Sequence, residues 1–313
     1  SLTAVKNENY YKMGADGQAL PYLDSVVVQI IGDEAVMAAN MESGDIDAVD
    51  FFYDQNYIDE FNTNDDIVLY KIASQTQYIL YMNMQKEPFD NVKVREALCY
   101  AFDRDECIDV LLNGDGFKTP TIVLPTQTFY RDGKIYDYNP EKSKEILEAA
   151  GCEMGDDGFY YRDGEKVGFV ISVSAGDQVR IDMAQIAAQE LKEIGMDVSV
   201  EIPAQTDWAG QMAFLIGWGS PFDADDHTYK VFGTDKGANY SGYSNADVDK
   251  YLTEARQSDD PEVRKEAYAN FQKALAEDPA YAMICYIDAN YVADSNIKGI
   301  DPDTIMGHHG VGI

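Results

Sequence analysis

Residues 214–226 (FLIGWGSPFDADD) gather the side chains best suited to hold a small molecule. Trp218 stands between Gly217 and Gly219, so the backbone there can come close to a ligand. Its indole offers a broad flat face for an organic group or a cation, and one N–H donor. Trp218, Gly219, Ser220, Phe222 and Asp223 form the candidate binding set. The same aromatic residues also suit ordinary core packing, and both readings stand at this level. Asp223, Asp225, Asp226 and His227 invite a metal reading. Metal binding needs converging ligands at fixed distances, and acid-rich turns are usually just solvated, so no metal site is assigned. His308 and His309 have no partner at ligand spacing and read as a solvated tail.

No catalytic constellation stands out. The chain has no nucleophile elbow, P-loop, G-x-G-x-x-G or H-E-x-x-H pattern. None of the three histidines has an evident carboxylate to orient it. Paired carboxylates carry no information in a chain with 56 acidic residues. The expectation is a binding protein without cofactor, and a hydrolase-like enzyme is the rival from another class. Cys99, Cys107, Cys152 and Cys285 show no C-x-x-C spacing and read as buried free thiols.

Against the 56 acids stand 24 bases, a formal charge of −32. Such a field repels nucleic-acid backbones and anionic lipid, which argues against both as partners, and it keeps the surface solvated. No stretch approaches the roughly 20 apolar residues that span a bilayer, so no membrane insertion of this segment is expected. No charged-then-apolar leader opens the sequence.

Short apolar strands alternate with amphipathic helices, which predicts an α/β architecture. VVVQII (26–31) suits a strand buried on both faces. Asp33 caps a helix that Gly44 ends. Strands follow at 67–73 and 78–84, then a helix capped by Asp90. Asn139-Pro140-Glu141 is a helix start, and Asp163-Gly164 is a hairpin turn. GFVISVS, the helix 179–194 and DVSVEI make a βαβ unit, whose crossover joins parallel strands. Ser244 caps one further helix and Asp260-Pro261 opens another, and AMICYI is the last strong strand.

Three stretches resemble one family: 7–49, 78–116 and 214–293. The middle one is the most specific. A strand ending in Asn83 leads to Pro88, Phe89, Asp90, Val94, Arg95, Ala97, Leu98, Ala101, Asp103 and Arg104. This order resembles the solute-binding proteins of peptide, dipeptide and nickel importers, family 5. The resemblance implies a periplasmic-binding-protein type II-like two-lobe fold, with lobe I incomplete because the family pattern begins earlier. It implies lobe I at 1–80, lobe II at 81–286 and a return to lobe I at 287–313, with crossings near 77–83 and 286–291. It also implies a small-molecule ligand, peptide or metal chelate, delivered to ABC transporter permease subunits. The location would be extracellular, either as a cell-surface lipoprotein or in a periplasm. In the peptide-binding branch an Asp stands three residues after the Trp, where this chain has Pro221. The nickel-type pattern is closer, matching Trp218, Gly219, Pro221, Phe222 and Asp223, with Phe222 where Tyr is common. A signalling role for the same fold stays open. An incomplete lobe would leave apolar surface exposed, so weak affinity and self-association are expected.

Overall fold

The computed structural model describes residues 1–50, 52–123, 129, 131, 136–175, 177–218 and 223–300. The elements run β1 (Leu2–Val5), β2 (Ser25–Val28), α1 (Glu34–Ser43), β3 (Ala48–Val49), α2 (Gln55–Phe61) and β4 (Ile67–Met82). Then come α3 (Val92–Tyr100), α4 (Arg104–Glu106) leading into a π-turn (Cys107–Leu111), β5 (Gly116–Phe117) and α5 (Pro140–Ala149). The hairpin strands β6 (Glu153–Met154), β7 (Tyr160–Arg162) and β8 (Glu165–Lys166) precede β9 (Gly168–Val173), α6 (Gln178–Glu193), β10 (Asp197–Glu201) and β11 (Ala213–Trp218). Helices α7 (Ala224–Phe232), α8 (Ala246–Gln257) and α9 (Pro261–Glu277) lead to β12 (Tyr281–Asp294).

The main sheet has the order β10-β9-β11-β4-β12-β3, with β5 also paired to β12. Strands β10 and β11 are both parallel to β9, as the βαβ pattern requires. The β11–β4, β4–β12 and β12–β3 pairs are antiparallel. Alternation along the central strands feeds two cores. Tyr78, Leu80 and Met82 of β4, with Ala213 and Leu215 of β11, pack with α3, α5 and α6. Ile79 and Tyr81, with Phe214 and Ile216, pack with α7, α8 and α9 on the other face. The result is a sheet with helices on both sides. All four cysteines are buried thiols outside any disulfide.

A third core is separate in sequence. It joins Ala38, Met41, Val49, Phe52, Ile58, Phe61 and Ile67 to Val292. Two long strands link it to the rest. The segments expected as strands at 67–73 and 78–84 are one 16-residue strand. It pairs with β12 from Ile67–Asp294 to Tyr81–Tyr281, with register shifts between Met283 and Cys285 and between Tyr286 and Asp288. The strand runs on through the polar residues 74–77, and its pairing with β12 shifts register there, between Gln77–Tyr286 and Ala73–Asp288.

Other expectations need correction. The valines of 26–28 are not buried on both faces: β2 pairs with β1 alone, and both strands are exposed along their whole length. The α3 cap is Asn91, which accepts the Lys93 N–H, while Asp90 turns away to pair with Arg162 at 2.7 Å. The α8 cap is Asn245, which accepts from Asp247 and Val248, and Ser244 instead meets the Thr234 hydroxyl. In both cases an Asn beside the expected residue holds the extended backbone that a cap needs. The caps at Asp33, Asn139 and Asp260 form as expected. Asp163 and Gly164 both take positive φ, 54° and 87°, between β7 and β8, which is why Asp-Gly suits this turn.

Candidate ligand-binding cleft

A cleft of about 820 Å³ opens where the third core meets the main sheet. One wall comes from 31–37 and 50–54, at the starts of α1 and α2. The floor is Thr76 and Tyr78 of β4 with Ile287 of β12, and the far wall is 177–181, the first turn of α6. That turn follows the carboxyl end of β9, where parallel α/β sheets place ligands. A volume of this order falls within the range of small-molecule pockets.

The far wall is built around Asp177. Its Oδ1 accepts the Arg180 N–H at 2.9 Å and caps α6. Its Oδ2 accepts from Arg180 Nε at 2.7 Å. This holds the guanidinium 5.5 Å from the centre of the Tyr78 ring, in cation–π reach. On the near wall, Glu34 accepts the backbone N–H groups of Tyr53 and Asp54, at 3.2 and 2.5 Å, which ties α1 to the start of α2. Burial, offset by those two bonds, pushes the Glu34 carboxyl above its usual range. The Tyr53 hydroxyl donates to the Asp288 carbonyl at 2.9 Å, fixing this wall to β12. Burial raises the Tyr53 phenol well above its ordinary value. Among the described lining residues, the carboxylates of Asp33, Glu34, Asp50, Asp54 and Asp177 face one cation, Arg180. The cleft is therefore an acidic trough with a single guanidinium in it.

Of the expected site residues, Trp218 and Asp223 are described, and neither lines this cleft. Trp218 is the last residue of β11, beside Gln77 of β4. Its half-buried ring packs against the core on the α7–α9 face, with Lys230 Nζ at 5.9 Å from the ring centre. Along β11 the neighbouring Gly217 faces the cleft side: a Cβ there would come within 3.0 Å of the Tyr78 ring and 3.5 Å of Thr76. Gly217 thus makes room for the cleft floor. Asp223 caps α7, and its two oxygens take Arg264 Nη2 at 2.7 and 2.9 Å. Gly219, Ser220 and Phe222, like Pro221, lie outside the described residues, as do His308 and His309.

His227 is buried on α7, and burial pulls its pKa down to about 4, so its ring is neutral at physiological pH. Among the described residues no cluster of three or more His, Cys, Asp or Glu side chains could hold a metal. Asn83, the strand-end residue of the family-like motif, accepts the Gln85 N–H and donates to the Ala209 and Gln211 carbonyls. It caps its own turn and pins the loop before β11.

Tyr53, Tyr78, Asp177 and Arg180 were missed from sequence. They come from three distant segments, and no local spacing joins them. The one available signal was the turn after β9 in the βαβ unit, which marks the ligand-binding edge of such a sheet.

The sequence pattern of the bacterial extracellular solute-binding proteins, family 5, matches residues 1–240. The chain is 29% identical to the oligopeptide-binding protein AppA of Bacillus subtilis, over 94% of this chain and 57% of that protein. It is 25% identical to the dipeptide-binding protein of Escherichia coli, over 92% and 55%. Its fold superimposes on NikZ from Campylobacter jejuni in complex with Ni(L-His), with a TM-score of 0.84, 31% identity, and 92% and 60% of the two chains covered. It also superimposes on Bacillus subtilis AppA in complex with a nonapeptide, with a TM-score of 0.84, 26% identity, and 96% and 61% covered. The chain spans between half and two thirds of the length of these relatives, so what it shows is part of a two-lobe periplasmic-binding fold. It belongs to the bacterial extracellular solute-binding proteins of family 5.

Proposed function

We propose that this chain is the ligand-capturing part of an extracellular solute-binding protein that delivers a peptide-like small molecule to the permeases of an ABC importer. The observation that carries this reading is the cleft of about 820 Å³ floored by the two strands that join separate cores. A ligand touching both walls favours the closed arrangement by bridging them. Lobe I comprises 1–80 and 287–313, and lobe II comprises 81–286. The separate core around Met41 and Val292 supports two lobes, while Tyr78, Ile79, Leu80 and Ile287 at the proposed edges of lobe I pack into the main-sheet cores. Trp218, Gly219, Ser220, Phe222 and Asp223 stay the ligand-contact candidates of lobe II, and Trp218 ends β11, the neighbour of the strand that leads to Asp177. Asp223 acts there by holding α7 to α9 through Arg264. The acidic trough suits a ligand with an exposed ammonium group.

A second reading, a nickel or other metal chelate as the ligand, is favoured by the 31% identity with NikZ and by the same excess of carboxylates. In that case the metal arrives within its chelate, as cargo. No catalytic step is assigned to the protein. Anchoring as a cell-surface lipoprotein fits the same role, and no described helix is long and apolar enough to cross a membrane.

The test is native mass spectrometry of the full-length protein purified from its host. A co-purified peptide supports the first reading and a metal chelate the second. A protein that carries neither, and binds neither when titrated, contradicts both.

A further inference from the structure

A cavity of about 40 Å³ lies far along the chain from the cleft walls, bounded by Cys99 of α3, Arg104 of α4, the loop 119–121, Tyr136, Gln272 of α9 and Tyr281 of β12. Arg104 is 5% exposed, and its Nη2 has no hydrogen-bond partner among the described residues. Among the described residues no carboxylate forms an ion pair with it. Asp105 and Asp137 act on it only through space, and Asp105 is itself paired to Lys118 at 2.6 Å. An arginine stays charged in proteins. Burying that charge without a counter-charge is strongly unfavourable, and a neutral partner satisfies the hydrogen bond without the charge.

We propose that Arg104 and this cavity form a buried site for one monatomic anion of the halide class, accompanied by one water. The wall chemistry fits both. Thr119 spends its hydroxyl proton on the Thr121 carbonyl at 2.6 Å. Gln272 Nε2 donates to the Phe129 and Tyr268 carbonyls, at 2.8 and 2.9 Å. The Thr121 hydroxyl oxygen accepts from the Val123 N–H at 3.4 Å, which leaves its own proton free to donate. Arg104 Nη2 and the Thr121 hydroxyl therefore supply donors to the anion. The acceptor left over is Gln272 Oε1, which has no donor among the described residues. The water serves it, donating one proton to Gln272 Oε1 and the other to the anion. One water needs about 10–15 Å³ of such space, so this cavity takes two small particles and excludes an organic anion. Cys99 belongs to one core and Leu275 and Tyr281 to the other, so the anion sits where the two faces of lobe II meet. It acts as a folding-linked ligand there.

The test combines diffraction with melting. Crystals of the wild-type protein soaked in bromide should give an anomalous peak within about 3.5 Å of the Arg104 guanidinium. At a constant ionic strength of about 150 mM, replacing gluconate by chloride or bromide should raise Tm by about 2–4 °C, and Arg104→Met should abolish that difference. Holding ionic strength constant removes the general screening that a chain of charge −32 feels. Waters alone in the cavity, with no anomalous signal and a Tm indifferent to the anion, would overturn the proposal. Should Arg104→Met fail to fold, the wild-type diffraction and melting decide it.

Discussion

The Arg180 guanidinium lies 5.5 Å from the centre of the Tyr78 ring, joining the first turn of α6 to the strand that crosses between cores. Asp177 holds it there with one carboxylate while the same carboxylate caps the helix. Arg180 is the one cation among the described residues that line the cleft. Arg180→Ala should weaken ligand binding about tenfold or more, equivalent to about 1.4 kcal/mol. The fold should lose less than about 1 kcal/mol, because the Arg180–Asp177 pair is partly solvated and local. Calorimetric titration and thermal melting of the same variant check both halves.

Gly217 supports the same floor from the neighbouring strand. A methyl group there would press on the Tyr78 ring at 3.0 Å, with Thr76 at 3.5 Å. Overpacking of this kind costs about 1–3 kcal/mol. Gly217→Ala should therefore lower stability by that amount in denaturant unfolding and weaken binding as well. Adding Tyr78→Phe should not rescue it, since the clash is with ring carbons rather than the hydroxyl.

Glu190 gives the fold a pH dependence. It is 7% exposed, and its carboxylate accepts the Asp103 N–H at 3.0 Å. Burial, countered by that bond and reinforced by Asp103, Glu106 and Glu193, pushes its pKa up to about 7. The folded state therefore keeps the proton more tightly than the unfolded chain does. Its contribution is most favourable below the unfolded value and is lost as pH rises through about 7. Glu190→Gln should leave Tm unchanged near pH 4.5 and raise it at pH 8, by an amount equivalent to about 1–3 kcal/mol. Melting curves across that range test the sign. A variant less stable than wild type at pH 8 would show that the charged form is the one the fold favours.

Asp223 and Trp218 should separate cleanly by experiment. Asp223→Ala removes both the α7 cap and the Arg264 pair, so Tm should fall by the equivalent of about 1–2 kcal/mol. Trp218→Ala, by contrast, should reduce ligand affinity more than stability if its open edge meets the ligand. Equal loss of both in Trp218→Ala would return that indole to the core.

The exposed ribbon of β1 and β2 carries Leu2, Val5, Val26, Val27 and Val28, each about half or more exposed. Apolar strands without cover associate. This chain by itself should self-associate at high concentration, and the double substitution Val26→Thr, Val28→Thr should reduce that. Light scattering over a concentration series reads the difference.

Much of the layering was legible because it rests on local rules. The cap at Asn139 and the Asp163-Gly164 turn follow from residues within a few positions of one another, and the parallel β9–α6–β10 unit from apolar periodicity along one continuous stretch. The cleft was not legible, because Tyr53, Tyr78 and Arg180 meet only when β4 is one strand. The polar run 74–77 hides that continuity, because a lapse in apolar alternation reads as the end of a strand, whereas Thr76 and Gln77 are buried polar residues within it. The valines at 26–28 misled in the opposite sense. An apolar run specifies a tendency to be covered, and not the neighbour that covers it. The motif from Asn83 to Arg104 proved informative about architecture. Phe89, Val94, Ala97 and Leu98 fill the core, and Arg95 is tied by hydrogen bonds to the Phe89 and Pro279 carbonyls.

The most direct test of the capture reading is calorimetric titration of the full-length protein with short peptides and with nickel–histidine, in parallel with Arg180→Ala. The account predicts one-to-one binding of one of these ligand classes, lost or sharply weakened in the variant. Binding that is untouched by Arg180→Ala, or no heat from either class, would contradict the assignment of this cleft as the site of capture.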